Sequence, residues 1–318
     1  MRLMSLISIL VAASVSLLTS TLAASPSGGP QDRPTFKSSS ELVVLHISVR
    51  DRGGRYITGL TQDAFTVIDD GKPQTLEMFS ADEVPASVGF LIDNSNSMRP
   101  NRDRVIASSV AFVKNSHPQD EVFALTFNES VRRAWGPRII AESDPAAFAT
   151  AMSQAVVARG MTAIYDGLVA GLEHLEHAKH TRQVLIVVSD GGDNASRAKL
   201  DDVIKRVHES DATVYSVAIV DSMVRDGSNP KLLRQLARAT GGEFYFPRQV
   251  DDVQESFERI AKDIRSAYTI AYTPTKGGES AAERRRRTVK VYVRSPDGRV
   301  LTVRTRDGYF EKSREGGQ

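Results

Sequence analysis

The chain of 318 residues contains no cysteine. That absence removes thiol nucleophiles, cysteine-ligated zinc, iron–sulfur clusters and disulfide staples together. A large net charge is missing as well, because 41 Lys and Arg stand against 39 Asp and Glu, a balance of +2. No global field draws such a chain to nucleic acid or acidic lipid, so a partner has to be recognised at a local site. The single tryptophan, Trp135, reads either as a rim residue for a partner or as a satellite of the core. What the chain does have is 41% hydrophobic residues, enough to fill a sizeable core and to exclude a wholly disordered or collagen-like polymer.

Residues 1–24 place one basic residue, Arg2, ahead of an uncharged, mostly apolar run that closes on Ala23 and Ala24. That is the layout of a secretory signal peptide, with a retained membrane anchor as the alternative. The protein is therefore read as exported, to the periplasm or the extracellular space, and membrane-attached only if the segment stays on. Residues 25–39 are rich in Ser, Pro and Gly and read as a linker, and 313–318 read as a tail.

From residue 40 to 85 the pattern is that of short strands, Leu42–Val49, Phe65–Ile68 and Gln74–Phe79, with turns at Asp51–Arg55 and Asp69–Lys72. Between 86 and 264 strand and helix patterns alternate. Ser87–Ile92, Val122–Phe127, Val184–Val188 and Thr213–Val220 are apolar strands. Helical stripes run through Arg104–Val113, Ala146–Ala155, Ala163–Ala178, Val203–Val207, Lys231–Ala239 and Val253–Ile264. Repeated β-then-α units predict a doubly wound, mostly parallel sheet with helices on both faces. From 265 to 312 period-two strands return, with Val289–Val293 and Val300–Val303 expected to form a hairpin across Ser295-Pro296-Asp297-Gly298. Strands at both ends need a partner, so the two flanks are expected to join in one accessory antiparallel β domain.

Candidate chemistry sits at strand ends. Asp93-Asn94-Ser95-Asn96-Ser97 follows the Ser87–Ile92 strand directly, where ligands bind in doubly wound sheets. A spacing of two in extended chain puts Asp93, Ser95 and Ser97 on one side. Three such oxygens suit a hard divalent cation, Mg²⁺ above all, while the alternative is a polar turn capping a helix from Pro100. Asp190, in Ser189-Asp190-Gly191-Gly192, ends the most apolar strand, and Thr162 lies in the loop before a helix. Taken singly, Asp190 is a turn residue and Thr162 a helix N-cap.

Taken together, DxSxS after the first strand, a Thr loop and SDG after a later apolar strand resemble the von Willebrand factor type A domain and its metal-ion-dependent adhesion site. The resemblance runs from about Ala86 to Ile264. Leu60–Phe65 with Asp69–Gln74, and Tyr272-Thr273-Pro274 with Thr305–Phe310, are similar to bacterial secreted proteins related to that family. The resemblance implies a Rossmann-like fold in which Ser95, Ser97 and Thr162 offer oxygens to Mg²⁺, with Mn²⁺ or Ca²⁺ as alternatives. Asp93 and Asp190 ligate directly or through water, and a partner protein's acidic side chain completes the coordination. Two positions depart from the family pattern: Asn96 and Met161 stand where Gly is frequent, and neither removes a ligand oxygen.

The function implied is a non-enzymatic, exported binding or adhesion module with a protein ligand and no nucleic-acid role. The alternatives are a secreted metal-dependent hydrolase or phosphatase using the same ion, and a structural envelope protein. Against an enzyme, no GxSxG or HExxH motif occurs, and no His lies near the three motifs. Weaker features read as surface. His174, His177 and His180 form a solvated helix end rather than a second metal site, and Arg284–Arg287 form a solvated basic hairpin tip. Asp193 and Asn194 read as caps of a helix over Ser196–Val207.

Overall fold

The computed structural model describes residues 42–136, 141–142, 144–220, 227–249, 251–275, 286–295 and 297–310. The signal segment 1–24, the linker 25–39, the tail 313–318, and Arg284 and Arg285 lie outside these residues. Four strands come first: β1 (Val43–Arg50), β2 (Phe65–Asp69), β3 (Lys72–Gln74) and β4 (Met78–Ser80). The alternating region follows as β5 (Ala86–Asp93), α1 (Arg102–Lys114), β6 (Glu121–Phe127), β7 (Val131–Trp135), β8 (Ala141–Glu142), α2 (Pro145–Ala155), α3 (Ile164–Leu175) and β9 (Arg182–Ser189). It continues through α4 (Leu200–Glu209), β10 (Thr213–Ala218), α5 (Pro230–Thr240), β11 (Phe244–Tyr245) and α6 (Asp251–Ser266). The chain returns to strands in β12 (Tyr268–Tyr272), β13 (Arg286–Val293), β14 (Thr302–Arg304) and β15 (Gly308–Phe310).

The central sheet has the order β11-β10-β9-β5-β6-β7, with β8 also on β6. Strands β11, β10, β9, β5 and β6 run parallel, and β7 and β8 run against β6. All eight β5 residues are buried, which is why the strand reads as one apolar run: a strand covered on both faces has no solvent side. Alternate side chains serve different cores. Phe90 and Ile92 pack with Phe112 of α1, Phe148 of α2 and Phe257 of α6, whereas Leu91 packs with Leu168 of α3, Val203 of α4 and Leu236 of α5. Three rings surround Phe90, at centroid distances of 5.4, 5.6 and 6.2 Å. Trp135 meets Phe148 edge-on at 6.1 Å and packs on the same core, so the satellite-core reading holds.

The two flanks do meet, but as two four-stranded antiparallel sheets rather than one, ordered β14-β1-β12-β4 and β15-β13-β2-β3. Leu45, Ile47, Val67, Tyr268, Ile270 and Val289 share the core of this part. The expected hairpin is not a ladder. Gly298 N–H donates to the Ser295 carbonyl at 3.2 Å, so the turn forms, yet β13 pairs with β2 and β15 while β14 pairs with β1. Arg304 on β14 is held by Glu243 and Asp263, which places that strand beside β1. Arg287 also departs from the solvated tip: it is buried on β13, where its Nε donates to Asp69 at 2.7 Å. The other Asp69 oxygen accepts the hydroxyls of Tyr272 at 3.0 Å and Tyr309 at 2.8 Å, so opposite charges buried across the sheet hold the residue inside.

Among the described residues no helix is long and apolar enough to cross a membrane.

His46 on β1 supplies a pH dependence. Burial pulls its imidazole down to about 3, helped by the charges of Arg182 and Arg306 and opposed by a backbone contact at Thr181 and the Asp211 carboxylate. The folded value lies below the unfolded 6.5, so the unfolded chain takes up the proton first as pH falls. Stability is therefore expected to drop from pH 6.5 downward, by up to about 1.4 kcal/mol per pH unit from this group. Urea midpoints at pH 7.5 and 5 should separate more for the wild type than for His46→Gln; parallel shifts in the two proteins would contradict the assignment.

Candidate metal centre

The carboxyl ends of β5 and β9 lie side by side, because Ile92 pairs with Val188. Asp93 is therefore the last residue of a buried strand and is fully buried itself. Its Oδ1 accepts the Ser95 N–H at 2.9 Å, and its Oδ2 accepts the Ser189 hydroxyl at 2.6 Å. The Ser95 and Ser97 hydroxyls meet at 3.1 Å, so the spacing of two brings both oxygens to one side. The capping alternative does not describe this loop. Residues Asn96–Asn101 form a 3₁₀ turn that carries Pro100, α1 starts at Arg102, and the Ser95 side chain caps neither.

The Thr loop lies between α2 and α3 and is hydrogen-bonded to both neighbouring loops. Asn96 N–H donates to the Gly160 carbonyl at 3.2 Å, and Asn194 N–H donates to the Thr162 carbonyl at 2.9 Å. In return the Thr162 N–H donates to Asn194 Oδ1 at 2.8 Å. Thr162 is not the cap of α3. The Ser196 hydroxyl takes that role from a distant loop, accepting the N–H groups of Tyr165 at 3.0 Å and Asp166 at 3.2 Å. The Thr162 hydroxyl itself makes no hydrogen bond among the described residues. Gly160 is required here: at φ +93 its α-carbon faces Glu129, and a Cβ would lie 2.4 Å from that carboxylate.

Asp190 follows β9 and is partly exposed, with its Oδ1 accepting the Gly192 N–H at 2.9 Å. Gly191, at φ +81, lets the chain pass the Asn229 carbonyl, which a Cβ would approach to 2.3 Å. Burial pushes the Asp93 carboxyl up to about 6, and the neighbouring charge of Asp190 adds to the rise against the hydrogen bonds from Ser189 and Ser95. The three hydrogen-bonded loops thus carry a buried carboxylate, a second carboxylate that repels it, a touching pair of hydroxyls and a hydroxyl with no hydrogen bond among the described residues. All donors are oxygens, which fits a hard cation such as Mg²⁺. Among the described residues no group of three or more His, Cys, Asp or Glu side chains forms a conventional cage, and the donor set here is mostly hydroxyl.

The remaining candidates resolve as follows. His174 stacks on Phe123 with ring centroids 4.2 Å apart, and burial lowers its pKa, while His180 Nε2 contacts the Gln119 carbonyl at 2.8 Å. His174 is thus half-buried against Phe123 rather than part of a solvated helix end, His177 is exposed, and among the described residues the three form no group that could hold a metal ion. Helix α4 begins at Leu200, not Ser196, so Asp193 and Asn194 cap nothing there. Asp193 instead accepts the Ser196 hydroxyl, and Asn194 fastens the Thr loop. Sequence reasoning missed Ser189, whose place directly before Asp190 at a strand end was the available signal. It also missed Asp166, whose carboxylate accepts the Ala198 N–H at 2.8 Å and so ties α3 to the loop after β9.

A doubly wound parallel sheet with this oxygen cluster at its carboxyl edge defines the molecule as a Rossmann-like α/β protein with an accessory antiparallel part. The family model for the von Willebrand factor type A domain matches residues 87–259, more than half of the chain, and the chain belongs to that family. A von Willebrand factor type A protein from Catenulispora acidiphila is similar in structure, with a TM-score of 0.51 at 16% identity, over 84% of this chain and 73% of that one. The PilB minor pilin from Streptococcus sanguinis gives 0.47 at 13% identity, over 59% of this chain and 63% of that one. The vWF domain of the type V pili tip protein Mfa5 from Porphyromonas gingivalis gives 0.46 at 13% identity, over 58% and 96%. At these identities the likeness is one of fold. No curated protein matches the chain.

Proposed function

We propose that this protein is an exported, non-enzymatic binding module that holds one divalent cation, Mg²⁺ first, at Asp93, Ser95, Ser97, Thr162 and Asp190. The observation that supports this reading is that the loops after β5 and β9 are both hydrogen-bonded to the Thr162 loop at the carboxyl edge of the sheet, with Asp93 and Asp190 near enough to repel each other. A cation would relieve that repulsion, and two carboxylates among neutral hydroxyls leave it with affinity for one more oxygen. An acidic side chain of a partner protein supplies that oxygen, in keeping with the general role of these domains in protein–protein contact. The rim suits a protein surface: Met161 and Val157, each 50% exposed, put apolar contact beside the cluster. None of the six histidines lies in the three loops, so no Ser–His or Thr–His pair stands there. Export is read from the signal-like segment 1–24.

Calorimetric titration of the purified protein with MgCl₂ is expected to give one site per chain. The variant Ser95→Ala combined with Ser97→Ala should lose binding by about 10-fold or more while keeping its circular dichroism. Equal Mg²⁺ affinity in that variant and the wild type would sink the assignment.

A further inference from the structure

Asn94 stands between two of the proposed ligands and is not a ligand itself. It is buried, and its contacts run away from the cluster into the Thr loop. Its Oδ1 accepts the N–H groups of Val157 at 2.7 Å and Ala158 at 2.6 Å, and its Nδ2 donates to the Ala155 carbonyl at 3.1 Å. Its own carbonyl accepts the Arg159 N–H at 2.7 Å, and its N–H donates to the Phe127 carbonyl at 2.7 Å. One residue thus holds four positions of the segment 155–159 and the end of β6. That segment needs holding, because Ala158 sits at φ +56 although it carries a Cβ, a conformation costing about 1–2 kcal/mol. The hydrogen bonds of Asn94 offset that cost, because the strained residue is one of the two whose N–H groups its Oδ1 binds.

We propose that Asn94 is a positioning residue for the metal centre, fixing the Thr162 loop against the Asp93–Ser97 loop and so setting where the Thr162 hydroxyl lies. The inference rests on reading the cluster as a cation site. The side chain links the first and second motifs mechanically, just as Asn194 links the second to the third through Thr162. A change at Asn94 therefore acts on the cation through the loop, with every ligand oxygen still present.

The test uses Asn94→Ala and Asn94→Asp in the full-length protein. The Asp variant keeps the acceptor for Val157 and Ala158. In amide exchange, Asn94→Ala is expected to lose protection at Val157 and Ala158, whose acceptor is the Asn94 side chain, and Asn94→Asp to retain it at both. Titrated with MgCl₂, Asn94→Ala should bind about 10- to 100-fold more weakly than the wild type, with unfolding in EDTA still cooperative. Unchanged exchange at those amides would overturn the proposal, as would wild-type Mg²⁺ affinity in Asn94→Ala. If the wild type itself takes up no Mg²⁺, the cation reading fails on its own, and the exchange result alone decides whether Asn94 holds the loop.

Discussion

Replacing Asp263 with alanine is expected to cost about 3–5 kcal/mol of folding stability, the largest single loss predicted for this fold. Asp263 lies near the end of α6, with its side chain 1% exposed. One carboxylate oxygen accepts the Ser48 hydroxyl at 2.5 Å and Arg50 Nη2 at 3.2 Å, and the other accepts the Tyr215 hydroxyl at 2.7 Å and Arg304 Nη2. A single anion thus joins α6 to β1, β10 and β14. Its removal leaves two part-buried guanidinium groups to share Glu243, which already accepts Arg50 at 2.7 Å, Arg304 at 2.6 Å and the Tyr245 hydroxyl at 3.0 Å. An uncompensated buried charge is what makes breaking such a network costly, more than the loss of attraction does. The melting temperature should fall by about 10 °C for a protein of this size. Urea unfolding measures the free energy directly, and a loss below about 1 kcal/mol would mean that Glu243 alone satisfies both arginines. The fourfold change Asp263→Leu, Glu243→Gln, Arg50→Met and Arg304→Met should recover part of the loss, because it leaves no orphan charge of either sign while the new amide keeps an acceptor for the Tyr245 hydroxyl.

What could be read from the sequence divides along physical lines. Strands β5 and β9 were legible because burial on both faces writes itself as a continuous apolar run, and their position fixes where Asp93 and Asp190 fall. The motif residues stand out as short polar residues at the ends of such runs, but taken singly they read as caps and turns, and only their resemblance to a family pattern groups them as one candidate site. Partnerships over long sequence separations were not. Arg287 looks like one member of a surface run, and only the fold brings it to Asp69, 218 residues earlier. The Pro-Asp-Gly turn encodes a reversal of the chain but not the strand that follows it, so β14 could be assigned to β13 when it pairs with β1. Pro100 marks a helix start in general, yet here it sits inside a 3₁₀ turn, and the α-helix waits for Arg102. Asn94 and Asn194 fall in the same class: they hold the cluster together through backbone groups of other loops, which no local pattern records.

Replacing Asp93 with asparagine is expected to abolish the response to Mg²⁺ while leaving the metal-free protein as stable as the wild type, or more so. The two effects have one origin. The Asp93 carboxylate is fully buried, beside Asp190, and burial disfavours its charged form. Without a cation that charge is a burden, moderated by the Ser95 N–H and the Ser189 hydroxyl. Asparagine keeps the shape and removes the charge. Its Oδ1 still accepts the Ser95 N–H, and the Ser189 hydroxyl, which also takes the Gly191 N–H at 3.0 Å, has a second lone pair for the new amide donor. What asparagine cannot do is neutralise a divalent ion, so the affinity for Mg²⁺ should fall by about 100-fold, equivalent to about 2.7 kcal/mol. Thermal melting at pH 8 in EDTA and in millimolar MgCl₂ checks both halves. The wild type should gain stability on adding Mg²⁺, since a ligand that binds only the folded state stabilises it by mass action. Asp93→Asn should melt at or above the wild type in EDTA and gain nothing from the metal. A variant that melts lower in EDTA would show that the carboxylate is needed to hold the loops together. One that still gains stability from Mg²⁺ would place the ion away from Asp93.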